Sequence, residues 1–217
     1  VRGRHHRDQT IRWHPGERLD HLFAELAAQR PDSDPHSTAV EIVGQRSLTF
    51  RELDARANRL ARHLREDGVG PGERVALLLD HPLEAHTGML AVLECNAAYV
   101  PLDAGFPPDR IAHIVSDSGA RTAVIPSHLR ELIPDEVGAV EVDTGSDALG
   151  IRPGWPAVLR RGRDPDGRAG YLIYTSGTTG RPEGCGGRAL GDLQLRPGRG
   201  RAPRITSGSG SCSPCSC

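Results

Sequence analysis

The residues best suited to chemistry lie close together. In the stretch AGYLIYTSGTTGRPEG, residues 169–184, an apolar run ends in six consecutive small residues, Thr175, Ser176, Gly177, Thr178, Thr179 and Gly180. Arg181, Pro182 and Glu183 follow. A strand ending this way lets backbone N–H groups converge on an anion, because glycine permits positive φ and close approach. Threonine and serine hydroxyls add donors. The chemistry on offer is phosphate binding. This is not a Walker loop, since no G-x-x-x-x-G-K-[ST] string occurs. All 27 basic residues are Arg, so no step that needs a Lys ammonium can use a residue of this chain.

Other reactive residue types form weaker constellations. Cys212, Cys215 and Cys217 have C-x-x-C-x-C spacing. They lack a nearby fourth ligand, and a structural zinc site closes with four. His5 and His6 read as solvated, and Arg196, Arg199, Arg201 and Arg204 as a solvated basic tail. Cys95 sits in an apolar helical segment and reads as a small buried hydrophobe. No metal site is expected.

The loop needs a scaffold, and the pattern upstream supplies one. Leu19, Leu22, Phe23, Leu26 and Ala27 fall at helical spacing, and Pro31 stops that helix. TAVEIV and RSLTF, either side of Gly44 and Gln45, predict a hairpin. Leu53, Ala57, Leu60, Ala61 and Leu64 form one apolar stripe on a helix over residues 51–67. Thr49 and Glu52 are placed to cap it reciprocally. RVALLL, residues 74–79, is a continuous apolar run that suits a parallel strand buried on both faces. PLEAHTGMLAVLECNA, AYVPL, PPDRIAHIVSDSG, RTAVI and SHLRELI continue as helix, strand, helix, strand, helix. VGAVEVD and GYLIYT read as two further strands, with mostly loop between them. The alternation predicts an α/β fold, layered, with a mainly parallel sheet and flanking helices.

Composition bounds the rest. Hydrophobic residues make up 37% and aromatics 4% of 217 residues, so a core must be concentrated in part of the chain. A formal net charge of -1 gives no global signature for nucleic acid. No window of about eighteen apolar residues exists, so no membrane-spanning helix is expected. The N-terminal residues are charged and lack the apolar segment of a secretory signal, so the expected location is cytoplasmic. Four of the five Cys lie at or beyond Cys185, unlike a disulfide framework spread through a fold.

YLIYTSGTTGRPEG closely resembles the phosphate-loop signature of adenylate-forming, AMP-binding enzymes. These include acyl-CoA synthetases, luciferases and the adenylation domains of nonribosomal peptide synthetases. LTFRELDARANRLARHL, residues 48–64, resembles that family's first core motif, and VLECNAAYVPLDAGFPPDRI, residues 92–111, resembles its second. The A-Y-V-P-L-D form followed by P-x-x-R is similar to amino-acid-activating domains. The resemblance covers about residues 19–184. It implies a two-step reaction. A carboxylate attacks the α-phosphate of ATP and displaces pyrophosphate, with Mg²⁺ assisting; the acyl-adenylate then passes to a carrier-protein thiol. On this likeness Thr175, Ser176, Gly177, Thr178, Thr179 and Gly180 surround the β- and γ-phosphates. ATP, an amino acid and a peptidyl carrier protein are the implied partners, with no nucleic acid and no membrane. Tyr174 is expected to end its strand and pack, and Tyr99, Pro101 and Asp103 read as scaffold.

The sequence departs from this pattern at several points. Glu183 and Glu94 stand where the family has Lys. A carboxylate beside a triphosphate costs about one to several kcal/mol, according to the local dielectric. Two arrangements are open: Glu183 is turned to solvent, or the loop binds ATP weakly. Nothing beyond Gly184 resembles the family, so the expected organisation is a flexible arm over 1–16, a partial AMP-binding domain over 17–184 and a disordered tail over 185–217. The fold expected is thus an incomplete N-terminal part of the large subdomain. The tail's Gly, Arg, Ser and Cys content fits a reading-frame slip just after residue 184. With the substrate pocket and catalytic Lys of the family unmatched, the chain alone is expected not to catalyse. The rival readings are a non-catalytic interaction module or remnant, and a weak nucleotide binder.

Overall fold

The computed structural model describes residues 18–30, 34, 37–43, 47–142, 169–176 and 182–188. The arm over 1–16, the histidines at 5 and 6, the cysteines at 212, 215 and 217 and the Arg-rich stretch lie outside them.

Helix α1 (Leu19–Gln29) packs beside α2 (Phe50–Glu66), next to a two-stranded antiparallel hairpin of β1 (Thr38–Glu41) and β2 (Ser47–Thr49). The predicted capping box at the start of α2 is present. Thr49 Oγ1 accepts from Glu52 N at 3.2 Å, and Glu52 Oε2 accepts from Thr49 N at 2.8 Å. These two bonds satisfy donors that a helix start would otherwise leave unpaired.

The main sheet has six strands in the order β6-β5-β3-β4-β7-β8. Strands β3 (Arg74–Leu78), β4 (Ala98–Leu102), β5 (Thr122–Ile125), β6 (Gly138–Glu141) and β7 (Ala169–Ser176) are parallel, and β8 (Pro182–Arg188) returns antiparallel along β7. Helix α3 (Pro82–Glu94) links β3 to β4, and α4 (Pro108–Ser118) links β4 to β5. A 3-10 helix at Ser127–Leu132 stands where an ordinary helix was expected before β6.

The core explains the two-sided apolar run of β3. Val75 and Leu77 join Leu60, Leu64, Ala91 and Val92 under α2 and α3. Ala76 and Leu78 join Ile111, Ile114 and Val115 under α4. The sheet is thus covered on both faces, as continuous apolar strands require. A third cluster of Leu48, Leu53, Ala57, Leu83 and Leu90, with Phe23 against it, fastens the hairpin to α2 and α3. Gly119 ends α4 at φ 67°, a left-handed position that suits glycine at a helix C-terminus.

Candidate functional site

Strand β7 lies beside β4, with Tyr99 opposite Tyr171 and their rings 6.0 Å apart. The C-terminal end of β7 therefore emerges at the C-terminal edge of the parallel strands. Ligands bind at that edge in open α/β sheets. The exit from β4 is tightly wound there. Asp103 Oδ1 accepts from Gly105 N at 2.8 Å, and the Arg110 guanidinium covers the Phe106 ring at 4.1 Å.

The antiparallel β8 was not foreseen. Its register pairs Tyr174 with Gly184, Thr175 with Glu183 and Ser176 with Pro182. The two strands pair on either side of the sequence 177–181. Of the six residues expected to meet phosphate, Thr175 and Ser176 belong to β7, and the Thr175 side chain is exposed. Gly177, Thr178, Thr179 and Gly180 lie outside the described residues. The register sets Glu183 directly across from Thr175, so a negative residue stands in the first rungs below the loop. Strand β8 also runs through residues 185–188, across the boundary expected at Gly184. PEGCGGR carries too many glycines and too little alternation to signal a strand; only its pairing with β7 makes it one.

Tyr174 and Leu172 turn to the α4 face and pack on that core cluster. The Tyr174 hydroxyl donates to Asp117 Oδ2 at 2.6 Å. Strand β7 runs two residues beyond Tyr174, further than its expected end. On the opposite face Ile173 is 43% exposed, and its cross-strand partner Cys185 is exposed and in no disulfide.

The displaced pKa values lie away from this loop. Burial, then the Asp54 and Asp20 carboxylates, pushes Glu94 at the end of α3 up to about 8, against a smaller pull from Arg65 and Arg62. Burial pushes the Cys95 thiol up to about 11, and Cys95 Sγ donates to Ala61 O at 3.3 Å. Cys95 is the buried hydrophobe its sequence setting predicts. Tyr99 is raised by burial and then by Tyr171.

Among the described residues no group of three or more His, Cys, Asp or Glu is placed to hold a metal ion. None of their helices is long and apolar enough to cross a membrane.

The sequence profile of the AMP-binding enzymes matches residues 24–186. The chain belongs to the AMP-binding enzyme family. Within the family it is similar to tyrocidine synthase 3 of Brevibacillus parabrevis, 38% identical over 166 residues that make up 76% of this chain and 2% of that protein. It is likewise similar to malpibaldin synthetase of Mortierella alpina, 38% identical over 77% of this chain and 3% of that protein. The nonribosomal peptide synthetase FmoA3 in its AMPPNP-bound form superposes with a TM-score of 0.68 at 27% identity, over 84% of this chain and 18% of that one. The form of FmoA3 bound to α-methyl-L-serine-AMP gives 0.67 at 28% identity, over 81% and 18%. This AMP-binding chain therefore has the mixed α/β architecture of adenylation domains and spans a small part of the length of such synthetases. AMP-binding enzymes take ATP and adenylates, which accords with a loop built from small donor-rich residues.

Proposed function

We propose that this chain contributes the phosphate-holding part of an amino-acid-activating adenylation reaction in nonribosomal peptide synthesis, in the cytoplasm. The observation that carries the reading is the hairpin. Its strands β7 and β8 flank the glycine- and threonine-rich sequence 177–181 at the C-terminal edge of a parallel sheet, in a chain whose relatives are peptide synthetases.

In this reading the backbone N–H groups and hydroxyls of Thr175, Ser176, Gly177, Thr178, Thr179 and Gly180 surround the β- and γ-phosphates of ATP. Their contribution is positioning and charge stabilisation as pyrophosphate departs from the α-phosphate. Mg²⁺ accompanying ATP would add charge stabilisation at the phosphates, since it is usually held by one or two carboxylates together with the substrate phosphates and not by a dedicated protein cage. The amino acid and the peptidyl carrier protein are partners of the complete reaction, in which a Lys is supplied from outside these 217 residues or not at all.

Titration of the full chain with the fluorescent analogue mant-ATP tests the phosphate site. Saturable binding competed by ATP and weakened by Thr178→Ala supports it; binding indifferent to Thr178→Ala rejects it. Pyrophosphate–ATP exchange with a panel of amino acids tests catalysis. No exchange is expected from the chain alone, and measurable exchange refutes that expectation.

A further inference from the structure

Outside the loop, one group of contacts ties its base to the rest of the fold. Tyr174 stands two residues before the end of β7, on the face that meets α4. Its hydroxyl donates to Asp117 Oδ2 at 2.6 Å. Directly across the ladder is Gly184. A Cβ on Gly184 would stand 3.1 Å from Tyr174 Cζ, 3.3 Å from its hydroxyl oxygen and 3.3 Å from Leu172 Cδ1. The glycine thus leaves the space in which the ring lies across β8 while its hydroxyl reaches α4. Three segments meet at this ring: β7, β8 and the last turn of the sequence-distant α4. The paired rungs above it, Thr175 with Glu183 and Ser176 with Pro182, inherit whatever position the ring imposes.

We propose that Tyr174, held by Asp117 and accommodated by Gly184, is a positioning residue that fixes the base of the phosphate loop against α4. The nucleotide half of this proposal rests on the reading of the loop as the ATP phosphate site; the mechanical half rests on the contacts alone. A site whose flanking strands are already held in place loses less freedom on binding an anion, so the anchor raises affinity without touching the ligand.

The test uses the full chain with Tyr174→Phe, Asp117→Ala, Asp117→Asn and the Tyr174→Phe/Asp117→Ala pair. Each is measured for mant-ATP affinity and for backbone hydrogen exchange by mass spectrometry. Tyr174→Phe and Asp117→Ala should each weaken mant-ATP about fivefold, the factor that one solvent-accessible hydrogen bond represents. The pair should be no weaker than either single change, because both remove the same bond. Asp117→Asn should restore affinity, since its amide oxygen still accepts from the hydroxyl. Amides of residues 175–184 should exchange faster in Tyr174→Phe and Asp117→Ala, with the β3 peptide unchanged.

Parent-like affinity and exchange in Tyr174→Phe would overturn the proposal. Faster exchange spread evenly over the sheet would also overturn it, by showing general loosening instead of a local anchor. If the parent chain binds no mant-ATP but the local exchange pattern appears, the phosphate reading falls and the mechanical anchor stands.

Discussion

Glu94→Gln should make this protein more stable, by an amount that grows with pH. The Glu94 side chain is enclosed at the end of α3, its Oε2 has no hydrogen-bond partner among the described residues, and Asp54 and Asp20 press on it with like charge. Its carboxyl is therefore raised from 4.5 to about 8 in the folded chain. Between those two values the unfolded chain has released the proton and the folded chain still holds it, so stability falls as pH rises. One pKa unit corresponds to about 1.4 kcal/mol. The penalty is about 1 kcal/mol at pH 5, about 3 kcal/mol at pH 7 and about 4 kcal/mol at pH 8, levelling off once the folded carboxyl also ionises. Gln keeps the side-chain volume and removes the titration. It also offers N–H donors to a neighbourhood rich in carboxylates. Urea denaturation of parent and Glu94→Gln at pH 5, 6, 7 and 8 measures the gap directly. A gap that stays constant across this range would refute the reasoning, because a titrating buried carboxyl cannot give a pH-independent difference. A gap that shrinks with pH would refute its sign.

Other outcomes follow from particular contacts. Thiol labelling of the native chain near pH 8, read by peptide mapping, should modify Cys185 and spare Cys95, whose thiol is buried and raised to about 11; equal labelling would contradict this. Ile114→Ala should cost about 2–5 kcal/mol in urea denaturation, because Ile114 is fully buried between α4 and the sheet. Thr49→Ala should cost about 1 kcal/mol through loss of the capping box, with Glu52→Ala showing a similar and non-additive loss. Glu183→Lys should strengthen mant-ATP binding by about tenfold or more at low salt, with the gain shrinking as salt rises; an unchanged affinity would place this side chain's charge beyond reach of the phosphates.

Much of the scaffold was legible because its signals are local. The stripe from Leu53 to Leu64 forms α2, the reciprocal cap at Thr49 and Glu52 is made, and the unbroken apolar run of β3 is buried on both faces. SHLREL misled, since it has helical composition but only six residues, and it winds as a 3-10 helix. Strand β8 was missed outright. Glycine at positions 184, 186 and 187 carries no propensity for a strand, and the segment becomes one only because β7 offers an unpaired edge.

The sequence by itself determined the family, because a run of small hydroxyl and glycine residues after an apolar strand is specific in its order. It also determined the α/β layering, through periodicity that each element carries internally. Tertiary structure alone decided how the strands on either side of residues 177–181 are placed. The pairing of β7 with β8, the placing of Glu183 opposite Thr175, and the meeting of Tyr174 with Asp117 and Gly184 join residues up to 67 positions apart. Nor could composition announce that Glu94 keeps its proton near neutral pH, since that depends on burial and on carboxylates brought in from α1 and α2. Contacts of this kind come from how elements pack, and no local pattern encodes them.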